Sequence, residues 1–83
     1  MNILYFAWVR EQIGLDQEQV EPPATVEDVH GLIAWLAGRS GGYASALADP
    51  ARLRAAIDQR FVPLDAPIAG ATEIAIFPPV TGG

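Results

Sequence analysis

The 83-residue sequence predicts an α+β domain in which a mixed sheet packs on one main helix. Short apolar runs typical of buried strands lie near both ends of the chain. Between them, one stretch repeats apolar residues at steps of three and four, the spacing of a helix that buries one face. Strands before and after a single good helix favour a sheet covered by that helix. A chain of this length forms one small domain with a thin core, so we expect any functional site at its surface.

The first two predicted elements are strands. The first covers residues 3–9, an apolar and aromatic run that ends at the polar residues 10–12. Gly14 predicts a turn. Residues 15–21 alternate imperfectly between two faces, which favours an edge strand paired back on the first.

The main helix is predicted to begin at Thr25, after a break at residues 22–23, and to end at Gly38. The spacing Thr25-x-x-Asp28 resembles a capping box, and carboxylates in the first turn suit the positive end of the helix dipole. Helix capping therefore explains Glu27 and Asp28 better than acid–base chemistry does. The apolar stripe of this helix consists of Val26, Val29, Ile33 and Leu36, widened by Leu32, Trp35 and Ala37.

The second half of the chain is predicted to contain a short helix and a final strand. Asp49 can cap that helix, with Pro50 at its first position. Residues 53–62 are open to two interpretations, because their first part fits a helix by propensity and their last part is extended. Residues 73–77 form a clear apolar strand, which residues 78–79, both proline, bring to an end.

Composition and charge exclude several classes of function. The net charge of −5 and the isoelectric point near 4.5 argue against nucleic-acid binding and favour a basic protein partner. The chain has no cysteine and one histidine, so we expect no disulfide and no metal site. All five positive side chains are arginines, so the chain cannot accept a lysine-linked modifier. No apolar segment is long enough to span a bilayer and no signal peptide is recognisable, which predicts a soluble cytoplasmic protein without membrane association.

The C-terminal segment FPPVTGG is the strongest candidate for a functional element. Two prolines hold the chain stiffly extended as it leaves the last strand, so residues 78–83 should protrude. The five residues from Pro79 to Gly83 can reach roughly 17 Å, enough to enter a deep pocket. Glycines at positions 82 and 83 can pass a channel too narrow for other residues and present a carboxylate at its end. A frayed end or a cloning remnant is the alternative explanation of a Gly-Gly pair.

Several segments together resemble the MoaD family, the small subunits of molybdopterin synthase, over the whole length of the chain. They are MNILYFAWVRE at residues 1–11, TVEDV at 25–29, AIDQRFV at 56–62 and EIAIFPPVTGG at 73–83. The resemblance implies a single β-grasp, ubiquitin-like domain over residues 1–83 and favours strand for the open segment 53–62. The chain departs from the family pattern in two turns, with Asp58-Gln59 in one and Ala71-Thr72 before Glu73 in the other.

The resemblance also implies a function as a sulfur carrier. An adenylating enzyme similar to ubiquitin-activating enzymes would use ATP to activate the carboxylate of Gly83, and a persulfide donor would convert it to a thiocarboxylate. The tail would then enter the active site of a large synthase subunit, in a heterotetramer, and pass sulfur to cyclic pyranopterin monophosphate. In this interpretation Gly83 is the only reacting residue, and the chain needs no catalytic side chain and no bound cofactor of its own. Gly82 gives access, and docking is assigned to Phe77, Pro78, Pro79, Val80 and Thr81.

Other interpretations stay open from the residues alone. A carrier for another pathway, such as thiamine thiazole synthesis, would share the Gly-Gly end, although such carriers tend to lack the LYFA opening and the FPPV approach. A ubiquitin-like modifier would share the adenylation step and differ in its acceptor, and a purely structural domain is the residual possibility. His30 is expected to be exposed to solvent, and Trp8 and Trp35 are expected to pack in the core.

Overall fold

The computed structural model describes residues 1–79 as a five-stranded mixed sheet with helices on one face. The strand order is β2-β1-β5-β3-β4, in which β1 and β5 are parallel and the other neighbours antiparallel. The strands are β1 (Asn2–Tyr5), β2 (Gln17–Gln19), β3 (Arg54–Ile57), β4 (Arg60–Val62) and β5 (Glu73–Phe77). The helices are α1 (Ala7–Ile13), α2 (Val29–Ala37), α3 (Tyr43–Ala46) and a 3₁₀-helix (Pro50–Arg52). The predicted α+β class with a mixed sheet is confirmed.

The core lies between one face of the sheet and α2. The strand residues that point inward alternate with residues that point outward, as the pleat requires. The inward side chains of the central strands and the apolar stripe of α2 are almost fully buried: Ile3, Tyr5, Ile74 and Ile76 from the sheet, and Val29, Leu32, Ile33 and Leu36 from the helix. Burial of one such side chain contributes about 1.5–3 kcal/mol relative to exposure, so this layer is the main source of stability.

The predicted first strand is wrong beyond Tyr5, because residues 7–13 form α1. A short apolar run fits a buried strand and a buried helix equally well, and only packing separates the two. The helix places Val9 fully in the core and leaves the half-buried ring of Trp8 beneath the guanidinium of Arg52, 5.1 Å from the ring centroid. Gly14 does form the predicted turn: it ends α1 at φ +90°, and its N–H donates to Arg10 O at 2.8 Å.

The predicted edge strand is confirmed but is shorter than residues 15–21. It comprises Gln17–Gln19, pairs antiparallel with β1, and forms one edge of the sheet. The sequence therefore identified the place of this strand and overestimated its length.

The main helix begins at Asp28 rather than at Thr25, so the predicted capping box is wrong. The extended backbone of Asp28 forms the N-cap, and its carboxylate accepts the N–H of Gly31 at 2.7 Å. The residues before it pair with a distant loop instead of starting a helical turn, since the N–H of Ile68 donates to Glu27 O at 3.0 Å. The predicted end at Gly38 is confirmed.

Further along the chain, the structure confirms the short helix at Asp49 and Pro50 as a 3₁₀-helix, whose capping carboxylate accepts the N–H of Ala51 at 3.1 Å. The helix α3 was not predicted. The segment that the residues alone left open is resolved as the hairpin β3–β4, in agreement with the resemblance. The final strand, residues 73–77, is confirmed at both ends.

The departure from the family pattern at Asp58-Gln59 is compatible with the hairpin turn. Both residues have positive φ, 47° and 72°, as a two-residue turn between twisted strands requires. The Asp58 carboxylate also accepts the backbone N–H of Thr72 at 3.1 Å and of Glu73 at 2.9 Å. One side chain thereby joins the two turns in which the sequence departs from the family.

Candidate functional site

The outer face of the sheet, opposite the core, carries an apolar groove of about 740 Å³. Side chains of β1, β3, β4 and β5 line it, together with the residues that follow β1 and β5 and a residue of the β3–β4 turn. The lining residues are Leu4, Phe6, Ala7, Ala56, Gln59, Phe61, Glu73, Ala75, Phe77, Pro78 and Pro79. The sheet is therefore apolar on both faces, and only one face is covered by helices.

Strand register brings small and large side chains together in this groove. Leu4 lies opposite Ala75, and Ala75 lies opposite Ala56 on the next strand. Ala56 in turn lies opposite Phe61 on the edge strand β4. The two alanines, 7% and 8% exposed, form the floor of a trough, and the larger side chains of β1 and β4 form its walls.

Aromatic residues at the rim are unusually exposed. Phe61 is 82% exposed and Phe6 is 44% exposed. The ring of Phe61 packs against Phe77 with 5.7 Å between the ring centroids. Exposed aromatic side chains around an apolar groove are typical of a surface that binds another protein.

The groove is continuous with the predicted tail. Of the predicted docking residues, Phe77, Pro78 and Pro79 line it directly at the end of β5. The remaining predicted site residues, Val80, Thr81, Gly82 and Gly83, lie outside the described residues. The approach to the tail thus forms part of the same apolar surface.

Sequence reasoning missed most of the groove. It identified Phe77 at the end of the last strand and the two prolines after it, and overlooked Leu4, Phe6, Ala56, Phe61 and Ala75. The sequence of β5 did contain a signal of a second covered face. Ile74 and Ile76 face the core, and the outward residues between and after them, Ala75 and Phe77, are also apolar, as in a strand covered on both faces.

Among residues 1–79, no cluster of His, Asp and Glu side chains could hold a metal ion. His30 is exposed on α2, as predicted, and its backbone N–H donates to Leu64 O at 2.8 Å. In the described part of the chain, no helix is long and apolar enough to cross a membrane.

A second polar arrangement, on the helical side, is structural. Glu18 Oε2 accepts the hydroxyl groups of Tyr5 and Tyr43, each at 2.7 Å, and its Oε1 accepts Arg39 Nη1 at 2.9 Å. Burial alone would raise the pKa of the Glu18 carboxyl, but these three donors outweigh it and lower the pKa below its usual value. The pKa of the Tyr5 hydroxyl is strongly raised, mainly by burial and secondly by its hydrogen bond to Glu18. Since both carboxylate oxygens are occupied, this cluster joins β1, β2 and α3 and offers no free reactive group.

Arg39, which donates to Glu18, also lies over two aromatic rings next to this cluster. Its guanidinium lies 5.4 Å from the ring centroid of Trp35 and 5.3 Å from that of Tyr43. Trp35 is half-buried and packs against the core, as does Trp8, so both tryptophans serve packing rather than docking.

Comparison with known proteins gives a consistent result. The model of the ThiS family matches residues 3–83. The molybdopterin synthase sulfur carrier subunit of Escherichia coli K12 is 41% identical over 83 residues, covering 100% of this chain and 99% of that protein. The subunit of the same name from Haemophilus influenzae is 43% identical over 84 residues, with the same coverage.

Solved structures support the fold. SAMP1 from Haloferax volcanii superposes with a TM-score of 0.71 at 22% identity, over 99% of this chain and 97% of that one. Molybdopterin converting factor subunit 1 from Pyrococcus furiosus gives a TM-score of 0.67 at 22% identity, over 95% of each chain. At this level of identity the likeness concerns the fold alone, which is the ubiquitin-like β-grasp.

Proposed function

Because the chain belongs to the ThiS family, and within it to the molybdopterin synthase sulfur carrier subunits, we propose that it carries sulfur for molybdenum cofactor synthesis. The observation that carries the proposal is the apolar groove that runs into the C-terminal segment at Phe77, Pro78 and Pro79. A carrier needs such an arrangement, since one surface must hold the partner while the chain beyond it reaches the partner's active site. The family match extends to residue 83, the glycine to which we assign the chemistry.

The proposed chemistry takes place on the carboxyl group of Gly83. A carboxylate is a poor electrophile, so an adenylating enzyme first joins it to AMP, with release of pyrophosphate from ATP. A persulfide sulfur attacks the acyl carbon, AMP leaves, and a thiol cleaves the resulting acyl disulfide to leave a thiocarboxylate. In the large subunit the thiocarboxylate sulfur attacks the pterin precursor, cyclic pyranopterin monophosphate, and hydrolysis returns the carboxylate. Two such cycles supply both dithiolene sulfurs.

The side chains of this subunit contribute recognition rather than acid–base chemistry. The groove would bind the large subunit, and in turn the adenylating enzyme, both in the cytoplasm. ATP is consumed by the adenylating enzyme, so no cofactor is assigned to this chain. Val80, Thr81 and Gly82 would line the entry to the partner's active site, where a side chain larger than that of Gly82 would obstruct the passage. A heterotetramer of two large and two small subunits is the assembly we propose.

Mass spectrometry of the C-terminal peptide tests this proposal. The protein is expressed with its native operon, and we expect one oxygen of Gly83 to be replaced by sulfur. Measuring the peptide rather than the intact chain avoids confusion with oxidation of Met1. A plain carboxylate, found with the adenylating enzyme and a sulfur source present, would contradict the proposal.

A substitution separates chemistry from folding. Gly83→Arg should abolish sulfur transfer to the pterin while the thermal unfolding midpoint stays unchanged, because the residue lies beyond the last strand. An active Gly83→Arg variant would show that the reaction does not need a residue without a side chain at the C-terminal position. Blotting for conjugates of higher mass distinguishes a modifier of other proteins from a sulfur carrier.

A further inference from the structure

We propose that the groove has a fixed polarity, and that the large-subunit surface which fills it places an arginine or lysine side chain against the carboxylate of Glu73. The inference rests on the proposed function, because it takes the large subunit as the partner.

Glu73 marks the end of the groove that lies away from the tail. It is the first residue of β5, its side chain is partly buried, and it shares the outer face with Ala75 and Phe77 because strand residues alternate. Phe77, at the other end of β5, lies about 13 Å away at roughly 3.3 Å per residue. The groove therefore has a carboxylate at one end and leads into the tail at the other.

A positive charge lies beside the tail end of the groove, next to Phe77 rather than in the groove lining itself. Arg54 lies opposite Phe77 in the antiparallel pair of β3 and β5. Its guanidinium is held in place, because Nη1 donates to Leu53 O at 2.8 Å and to Ala51 O at 3.2 Å. The two ends are thus electrostatically distinct, and a partner can distinguish them.

Three donors beside Glu73 in the sheet bond to other groups, while the Gln59 side-chain amide is a further polar group that lines the groove. Asn2, opposite Glu73 in the parallel pair of β1 and β5, donates its side-chain amide to Gln17 Oε1 at 3.2 Å. The backbone N–H groups of Thr72 and Glu73 donate to the Asp58 carboxylate. Within residues 1–79 the ion pair lies elsewhere in the molecule, and no hydrogen bond ends on the Glu73 side chain.

A partner that covers the groove removes water from this carboxylate. A carboxylate that loses water without gaining a donor is strongly unfavourable, whereas a guanidinium or ammonium group placed against it offsets that cost. A charged pair at one end of an apolar interface also fixes the position of the partner along the groove, and it disfavours binding of the partner in the opposite orientation. The remaining surface of the partner must be apolar to fill the alanine-floored trough between Leu4 and Phe61.

The test measures the affinity of the full-length chain for the purified large subunit from the same organism, by calorimetry at about 50 and about 300 mM NaCl. Glu73→Gln keeps the shape of the side chain and removes its charge, and the backbone contacts of residue 73 do not depend on it. We expect about tenfold weaker binding at low salt and a smaller dependence on salt than in the wild type. Glu73→Arg should bind more weakly still, and an acidic substitution of the matching basic residue on the large subunit should restore it.

The matched control is Glu27→Gln, which changes the net charge equally at an exposed position outside the groove. It should bind like the wild type, and circular dichroism melts should show that all variants are folded. Wild-type affinity for Glu73→Gln would overturn the inference and leave the proposed function intact. Failure of the wild-type chain to bind the large subunit would remove the proposed function, and the inference with it.

Discussion

Phe61→Ala should separate partner binding from folding more clearly than any other single substitution in the described part of the chain. Phe61 lies on the edge strand β4 and is 82% exposed, although its ring packs against Phe77. Folding therefore derives little from this side chain. The ring pair contributes about 0.5–1.5 kcal/mol, so we expect the free energy of unfolding to fall by about 1 kcal/mol or less.

The effect on binding is expected to be much larger. A phenylalanine side chain buries roughly 200 Å² when fully covered, so roughly 160 Å² of Phe61 is left for a partner to cover. At about 25 cal/mol per Å² this area corresponds to about 4 kcal/mol as an upper bound. Incomplete coverage and ordering of side chains reduce the expected loss to roughly 2–3 kcal/mol, or roughly 30- to 150-fold in Kd.

Two measurements check this prediction: urea unfolding of the free chain, and calorimetric titration with the large subunit. Leu15→Ala is the matched control, because Leu15 is 42% exposed and lies outside the groove. It should leave the affinity unchanged. Affinity of Phe61→Ala within threefold of the wild type, a difference of about 0.6 kcal/mol, would refute the argument that the groove is the docking surface.

Three further substitutions test the fold. Gly42→Ala would place a Cβ 2.6 Å from the Gln12 carbonyl carbon, and should lower the free energy of unfolding in urea by about 1–3 kcal/mol. Gly38→Ala is its control, because a Cβ there meets only ordinary contacts, and it should cost under about 1 kcal/mol. Glu18→Gln should cost about 1–2 kcal/mol at neutral pH. Because the folded pKa of Glu18 lies below the unfolded 4.5, its stabilisation is complete above pH 4.5 and is lost as pH falls through the folded value. Acid titration of stability should therefore be flatter in the variant, and a parallel titration would contradict this assignment. Asp58→Ala should cost about 0.5–1.5 kcal/mol, because it removes the acceptor of two solvent-exposed backbone N–H groups, and an unchanged melting temperature would refute that role.

Local sequence signals were reliable where one residue type has a strong backbone preference. The prolines after β5 set its end, Gly38 ended α2, and Asp49 with Pro50 started the 3₁₀-helix. These signals depend on φ restriction, missing donors and short side-chain acceptors, which act within a few residues. They do not depend on the rest of the fold.

Predictions failed where a long-range partner competed with a local pattern. Residues 7–9 continue the apolar run and yet leave the sheet as the first part of α1, a conformation that places Val9 fully in the core. Thr25 resembles a cap, but Asp28 takes that role once Glu27 O is paired with Ile68. In both segments the alternatives were close in local preference, so tertiary contacts decided between them.

The sequence by itself determined the family, the α+β class, the final strand and the residues that approach the tail. Those features depend on composition, on the spacing of apolar residues and on motifs that are contiguous in the chain. Only the tertiary structure decided that Leu4, Ala56 and Ala75 lie side by side, because strand order and register are set by pairing between residues far apart in sequence. The groove exists because β5 inserts between β1 and β3, and that insertion places two alanines beneath an exposed phenylalanine.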